Sequence, residues 1–255
     1  MSGFALPGPA LAALRELSAL PYENLSKIVA HGQGGNLEST LGLAEGWLER
    51  NRETGVGGTC FSLTWWLAGR IRAAGLECAL LMGDKGRAVN VHCALCCDWL
   101  GRSWLLDPGY MIFEPLLLPA AGLSAEAWIS PNAVRVEDLP ALDVWRLWSG
   151  PRGALKQRFD FRKAAVSEAE FFAHWEASYS LPMMGYPVLN RVKDGVQYYL
   201  QKRSLLVRTA EGGEMRKLGR EELLEALGTR FGIPEALARE ALAVVLAADP
   251  DFFRK

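Results

Sequence analysis

Apolar residues recur at helical spacing through the first third of the chain. The leucines of Pro9–Leu20 predict one helix, and Leu41–Asn51 is a second candidate. A third helix is predicted over Cys60–Ala74, because Gly75 follows it at the position where helices commonly end. Residues 8–75 are therefore predicted to be largely helical.

The pattern changes after residue 75, where short apolar runs typical of β-strands follow one another closely. The predicted strands are Glu77–Met82, Asn90–Asp98 and Arg102–Leu106. Prolines become frequent after these strands, which indicates more loop than helix there. They are Pro108, Pro115, Pro119, Pro131 and Pro140. Residues 76–165 are predicted to be mainly β-structure.

The last third of the chain mixes both kinds of element. Ser167–Ser178 is predicted as a helix, because Ser167 with Glu170 three residues later is the signature of a capping box. Three strands of a small antiparallel meander and two amphipathic helices are also predicted. These are Tyr186–Val192, Val196–Gln201, Leu205–Thr209, Arg220–Phe231 and Glu235–Ala247.

Together the patterns predict an α+β protein built from three consecutive parts. Residues 1–75 form a helical part, 76–165 a β part and 166–255 a mixed part. The chain has 255 residues, half of them apolar, which is enough for a sizeable core.

Charge and hydropathy exclude several classes of protein. Lys and Arg total 28 against 29 Asp and Glu, so no basic surplus indicates a nucleic-acid partner. The apolar stretches are shorter than the roughly 18 residues of a membrane span, and the first residues lack the pattern of a secretory signal. Four of the five cysteines lie within residues 78–97, which favours reduced thiols over a disulfide framework. We expect a cytoplasmic protein with no membrane segment.

One cysteine has an unusual setting. Residues 54–64 read TGVGGTCFSLT, so Gly57 and Gly58 precede Cys60 at the start of a predicted helix. Glycine allows the backbone to approach a neighbour closely, and a helix N-terminus favours a thiolate. Cys60 is therefore a candidate nucleophile, although most reduced cysteines are buried core residues.

A cysteine nucleophile usually needs a histidine base, and the chain has three histidines. His31 lies in a polar, glycine-rich segment that is predicted to be a surface loop. His174 lies among aromatic residues inside a predicted helix, where a structural role is more common. His92 is the remaining candidate.

The residues after His92 predict a β-hairpin that supplies an orienting carboxylate. A type I turn over Asp98–Gly101 would set Asp107 directly opposite His92. A competing turn at Gly101–Arg102 would instead pair Asp107 with Cys96. In the first register Cys60, His92 and Asp107 are a candidate catalytic triad, against the alternative of a core cysteine and an ordinary His–Asp pair.

A metal site is the alternative use of this cysteine-rich strand. Cys93 and Cys96 have C-x-x-C spacing next to His92, but residues three apart on a strand point to opposite faces. No second ligand pair is visible in the sequence, so we expect no metal.

Three short stretches resemble the arylamine N-acetyltransferase family. Pro21–Leu25 resembles the family's P-F-E-N-L, Gly57–Phe61 its G-G-x-C-F, and Asp107–Tyr110 its D-V-G-F. His92 also stands fifteen residues before Asp107, as the family places its histidine. The resemblance covers about residues 20–115.

The resemblance implies a fold and a mechanism. The fold would be an N-terminal helical bundle, a central antiparallel β-barrel and a C-terminal α/β lid. Cys60, paired with His92 and Asp107, would take an acyl group from a thioester such as acetyl-CoA and pass it to an arylamine or hydrazine. Residues expected by position to contact substrate are Gly58, Phe61, Tyr110 and Phe113, with Trp104 as a further candidate.

The sequence departs from the family around the cysteine. Val56 replaces the family's arginine, Ser62 its glutamate and Thr64 its asparagine. The segment between Cys60 and His92 is also short for the family. An amide synthase that uses a carrier-bound acyl chain, a transglutaminase-like hydrolase and a non-catalytic relative therefore stay open as alternatives.

Overall fold

The computed structural model describes residues 6–34 and 54–254, so the predicted helix Leu41–Asn51 lies outside the described residues. The chain forms two compact units. The first comprises Met1–Ser18 and Leu63–His174, and the second comprises Ala19–Ser62 and Trp175–Lys255. The division into three consecutive parts stays a prediction.

The elements follow one another in a helical, then β, then mixed order. In chain order they are α1 (Gly8–Ser18), β1 (Tyr22–Glu23), α2 (Leu25–Gly32), α3 (Cys60–Ala73), β2 (Cys78–Lys85), β3 (Ala88–Trp99), β4 (Arg102–Asp107), β5 (Ile112–Leu117), β6 (Ser124–Ile129), β7 (Asn132–Leu139), β8 (Val144–Gly150), β9 (Lys156–Arg162), α4 (Glu168–Ala177), β10 (Val188–Lys193), β11 (Val196–Gln201), β12 (Ser204–Arg208), β13 (Gly213–Lys217), α5 (Arg220–Thr229) and α6 (Glu235–Ala248). The predicted α+β class is confirmed.

An eight-stranded antiparallel sheet dominates the first unit. Its strand order is β5-β4-β3-β2-β9-β8-β7-β6, and it curls into a nearly closed barrel. Inward side chains from all its regions form one apolar core, which includes Leu81, Ala94, Leu105, Leu147 and Phe161. The β-barrel that the resemblance implies is confirmed.

The proline-rich segment after residue 107 holds more regular structure than its sequence indicates. It contains no α-helix, as expected, but most of it forms the strands β5–β9. Pro115 lies within β5, which is an edge strand of the sheet. A proline is tolerated there because an edge strand has an unpaired side that needs no N–H donor.

Both predicted registers of the His92 hairpin are wrong. The structure pairs Trp99 with Arg102 and Leu95 with Leu106, around a two-residue turn at Leu100–Gly101. Both turn residues have positive φ, 51° and 72°, as a type I′ turn requires. Leucine gives no sequence signal for this conformation, so the sequence alone does not locate the turn.

The second unit is built on a five-stranded antiparallel sheet. Its order is β1-β10-β11-β12-β13, and α2, α5 and α6 contribute to the same apolar core. The sequence indicated β10–β12 and both C-terminal helices. The two-residue β1, the exposed β13 and α2 were not predicted. Because α2 includes His31, this histidine lies on a helix and not in the predicted loop, and its side chain is exposed.

Candidate active site

His92 and Asp107 form a buried hydrogen-bonded pair in the first unit. His92 Nε2 lies 2.9 Å from Asp107 Oδ1 and 3.0 Å from Oδ2, and the two residues are 4% and 0% exposed. Because a carboxylate only accepts hydrogen bonds, the neutral imidazole carries its proton on Nε2 and its lone pair on Nδ1. A histidine in this state can act as a general base through Nδ1.

The true register explains why this pair forms although both predicted registers are wrong. Continuing the ladder places Asp107 opposite Ala94, two residues along from His92. A shift of two residues keeps both side chains on the same face of the sheet, and diagonal neighbours remain within reach of long side chains. His92 and Asp107 are therefore in contact as predicted, but as diagonal and not as directly opposed neighbours.

Asp107 is itself held in place by the backbone. It ends β4 and precedes a short 3₁₀ turn, where its Oδ1 accepts a hydrogen bond of 2.9 Å from the Tyr110 amide. The carboxylate therefore caps a turn and orients a histidine at the same time.

Aromatic rings enclose His92. Phe159 stacks on the imidazole at 4.0 Å between centroids and 11° between planes, while Tyr110 and Phe161 approach at 6.5 and 5.8 Å. Tyr110 is anchored by a 2.7 Å hydrogen bond between its hydroxyl and Ser149 Oγ. Neither Phe159 nor Ser149 carries a sequence signal, because both come from strands distant in the chain.

Cys60 is the first residue of α3, as predicted. It is 5% exposed and belongs to the second unit, whereas His92 and Asp107 belong to the first. All five cysteines of the chain are described, and none forms a disulfide. The catalytic triad of Cys60, His92 and Asp107 stays a prediction.

Close backbone packing explains the two glycines before Cys60. A Cβ added to Gly57 would lie 1.5 Å from the Pro21 carbonyl oxygen, so no larger residue fits. The Gly58 carbonyl accepts a 3.0 Å hydrogen bond from the Glu23 amide, and Gly58 also bridges Tyr22. These contacts anchor the segment that leads into the helix of Cys60.

Asn24 and Glu23 have structural roles that the sequence did not reveal. Asn24 donates through Nδ2 to the Met183 and Tyr186 carbonyls at 2.7 and 3.0 Å, and its Oδ1 accepts from the Val188 amide at 2.8 Å.

The neighbouring Glu23 has its carboxyl pKa raised by burial, against hydrogen bonds from Ser26 that lower it. The Asn24 and Glu23 side chains are both fully buried.

The residues predicted to contact substrate have different surroundings. Phe61 is 1% exposed and stacks on Trp175 at 6.1 Å, while Gly58 is buried against β1. Tyr110 and Phe113 are half-buried. Contact of any of these residues with substrate stays a prediction.

The metal alternative receives no support from the surroundings of β3. Cys93 pairs with Met82 across the sheet and His92 with Gly83, so the histidine and its neighbouring cysteine lie on opposite faces. Residues 6–34 and 54–254 hold no group of three or more possible metal ligands. No helix in these ranges is long and apolar enough to cross a membrane.

Comparisons with solved structures identify the fold. The arylamine N-acetyltransferase of Nocardia farcinica superposes with a TM-score of 0.77 at 22% identity, covering 99% of this chain and 92% of that one. The Mycobacterium marinum enzyme in complex with CoA gives 0.74 at 19% identity, with 91% and 90% covered. The Salmonella typhimurium enzyme gives 0.72 at 20% identity, with 97% and 94% covered.

The sequence itself has diverged further than the fold. No family model and no curated protein sequence matches the chain. The chain therefore has the fold of the arylamine N-acetyltransferases over nearly its whole length, at an identity too low to carry their chemistry across without argument.

Proposed function

We propose that this protein is an acyltransferase that moves an acetyl or other acyl group from a thioester to an arylamine or hydrazine. The observation that carries the proposal is the buried His92–Asp107 pair within an arylamine N-acetyltransferase fold. Cys60, at the first position of α3, is the proposed nucleophile.

The proposed reaction has two half-reactions. His92 removes the Cys60 proton, and the thiolate attacks the thioester carbonyl to form an acyl-enzyme and release the donor thiolate, which takes that proton. The amine then attacks the acyl-enzyme, His92 takes the amine proton, and the Cys60 thiolate leaves. Asp107 holds the imidazole and stabilises its charged form in both halves.

The setting of Cys60 supports its role. The positive end of the helix dipole favours a thiolate there. One turn later on the same helix, Thr64 Oγ1 donates to the carbonyl of Cys93, the residue after His92, at 3.4 Å. Thr64 and Cys93 both belong to the first unit, so this contact holds the later part of the helix against the strand that carries the proposed base.

The three departures from the family pattern are compatible with this chemistry. Val56, Ser62 and Thr64 are all buried, at 6%, 9% and 0% exposure. Ser62 donates to the Thr59 carbonyl and Thr64 to the Cys93 carbonyl, so both hydroxyls are satisfied. Losing the family's arginine and glutamate together leaves neither charge buried alone.

The donor is proposed to be an acyl-CoA, in a reaction that uses no metal. The Mycobacterium marinum structure was determined with CoA, and that protein shares the fold over 91% of this chain. The carrier-bound acyl chain is the alternative donor for the same site.

The test is the intact mass of the protein after incubation with acetyl-CoA in the absence of amine. We expect a gain of one acetyl group, lost again when an arylamine is added. Cys60→Ser is expected to gain no labile acetyl group, whereas the matched control Cys93→Ser, another buried cysteine, is expected to gain it.

Two outcomes would contradict parts of the proposal. An acetyl group that is lost to water as fast with or without amine would indicate a hydrolase. A Cys60 that reacts with an alkylating agent but not with acetyl-CoA would exclude this donor and direct the search to carrier-bound thioesters.

A further inference from the structure

Two cysteines that the proposed reaction does not use face each other across β2 and β3. Cys78 pairs directly with Cys97 in the antiparallel ladder. Directly opposed residues have Cα atoms about 4.5 or 5.5 Å apart, and disulfides span Cα separations of about 4.4–6.8 Å. The backbone is therefore already at a distance that a disulfide bridges without strand movement.

The two thiols are chemically unequal. Interaction with the Cys97 thiol and the positive charge of Arg72 lower the pKa of Cys78, against burial, which raises it. The Cys78 thiol donates to the Ala68 carbonyl at 3.9 Å, and the Arg72 guanidinium also binds Glu168 at 2.7 Å. The same interaction between the two thiols, together with burial, raises the pKa of Cys97. Cys78 is half-buried while Cys97 is 0% exposed. This is the arrangement of an attacking thiol with a lowered pKa beside a buried resolving thiol.

We propose that Cys78 and Cys97 are a modification site that forms a reversible intrachain disulfide with low-molecular-weight disulfides as the oxidant. The Cys78 thiolate attacks one sulfur of the oxidant, breaks its S–S bond and releases one small thiolate. Cys97 then gives up its proton and attacks the Cys78 sulfur of the mixed disulfide. The second small thiolate leaves with that proton, and the protein has lost two electrons to the reagent.

The register excludes the neighbouring cysteines as partners. Cys96 lies opposite Ala79 on the other face of β3, and burial raises the pKa of its thiol to about 11. Cys93 lies opposite Met82, four residues along the strand from Cys97. Within these two strands, Cys97 is the cysteine placed to resolve a mixed disulfide on Cys78.

The test is peptide mapping of the native full-length chain after incubation with oxidised glutathione and alkylation of the remaining thiols. Trypsin cleavage at Lys85 and Arg87 separates Cys78 from Cys97. We expect a linked pair of peptides that disappears on treatment with dithiothreitol. Its mass should be about 2 Da below the sum of the two peptides with Cys78 and Cys97 reduced and with Cys93 and Cys96 alkylated.

Three variants distinguish the steps. Cys97→Ser is expected to stop at one glutathione on Cys78, and Cys78→Ser to leave Cys97 unmodified. Cys96→Ser is the matched control that should still form the link, and it also removes one ambiguity within the peptide that carries Cys97. A stable glutathione adduct on Cys78 in the parent protein, or a link that involves Cys96, would overturn the proposal even if the serine variants failed to fold.

Discussion

At the scale of single residues, the base of the proposed site is held from several sides. Asp107 fixes the Nε2 edge of His92, and Phe159 covers one face of the ring. Each constraint removes rotational freedom that the imidazole would otherwise have to lose in the transition state. A pre-positioned base needs little reorganisation, so its partners are expected to matter for rate more than for fold.

The variant Asp107→Asn tests this arrangement. The amide keeps the shape of the carboxylate and can still accept from the Tyr110 amide, but it no longer stabilises a charged imidazole. We expect kcat/KM for acyl transfer to fall by about 10³-fold or more. The measurement is thioester consumption with an arylamine, beside thermal unfolding.

Asp98→Asn is the matched control. Asp98 is an exposed carboxylate on β3 that binds Ser103 at 2.5 Å, far from the His92 ring. It is expected to leave acyl transfer unchanged. Equal activity losses in the two variants would remove Asp107 from its proposed role.

Gly57 tests the close packing beside Cys60. Gly57→Ala would force its Cβ into the Pro21 carbonyl, so we expect a loss of more than about 4 kcal/mol in the free energy of unfolding. Gly69→Ala is the control within α3, because an added Cβ there meets nothing within 4 Å. It should raise the free energy of unfolding by about 0.5–1 kcal/mol in urea titrations. Similar effects from both changes would contradict the packing argument.

At the scale of elements, short sequence motifs predicted the features that depend on neighbouring residues, such as the helix cap, and not those that depend on distant strands. The capping box before α4 forms as expected: the Ser167 amide donates to Glu170 at 2.8 Å, and the Glu170 amide donates back to Ser167 Oγ at 3.2 Å. The hairpin turn was misplaced because positive φ at Leu100 is favoured by strand twist and not by the residue. β1 was missed because two residues form a strand only where β10 supplies their partners.

The same division applies to the candidate site. Cys60, His92 and Asp107 were indicated by spacing and by short motifs. Phe159 and Ser149 were not, since only the closing of the barrel brings β8 and β9 to the His92 pair. When two residues meet only through the pairing of strands that are distant in the chain, the local sequence around either residue does not predict the contact.

Ser167→Ala tests the cap of α4. The change removes one acceptor from the first turn of the helix and should lower the free energy of unfolding by about 1 kcal/mol. Ser180→Ala, at an exposed serine, is the control and should change it by less than about 0.5 kcal/mol. Chemical unfolding of both variants measures the difference, and a neutral Ser167→Ala would mean that the cap is dispensable.

At the scale of the whole molecule, the Asn24 side chain links the two chain segments that make up the second unit, Ala19–Ser62 and Trp175–Lys255. Asn24 hydrogen-bonds three backbone groups within residues 183–188, of which the Val188 amide is buried and the Met183 and Tyr186 carbonyls are partly buried. Asn24→Ala would leave all three without this partner, and we expect a loss of about 3–5 kcal/mol in the free energy of unfolding.

Asn190→Ala is the graded control for Asn24. Asn190 is also buried, at 7% exposure, but its Oδ1 accepts a single hydrogen bond, from Gln197 at 3.0 Å. We expect a loss of about 1 kcal/mol. Denaturant titrations of the two variants should therefore differ several-fold, and equal losses would contradict the three-bond account of Asn24.

The two-residue strand β1 also has a consequence for the order in which the protein assembles. Tyr22 pairs with Asn190 on one side and bridges Gly58 on the other. On the ribosome, β1 and the segment that leads into Cys60 emerge long before β10 exists. Because pairings between distant segments form slowly, this edge of the sheet should be completed only once most of the chain has been synthesised. A truncated nascent chain that lacks β10 would then carry Cys60 next to a β1 strand that has no sheet partner.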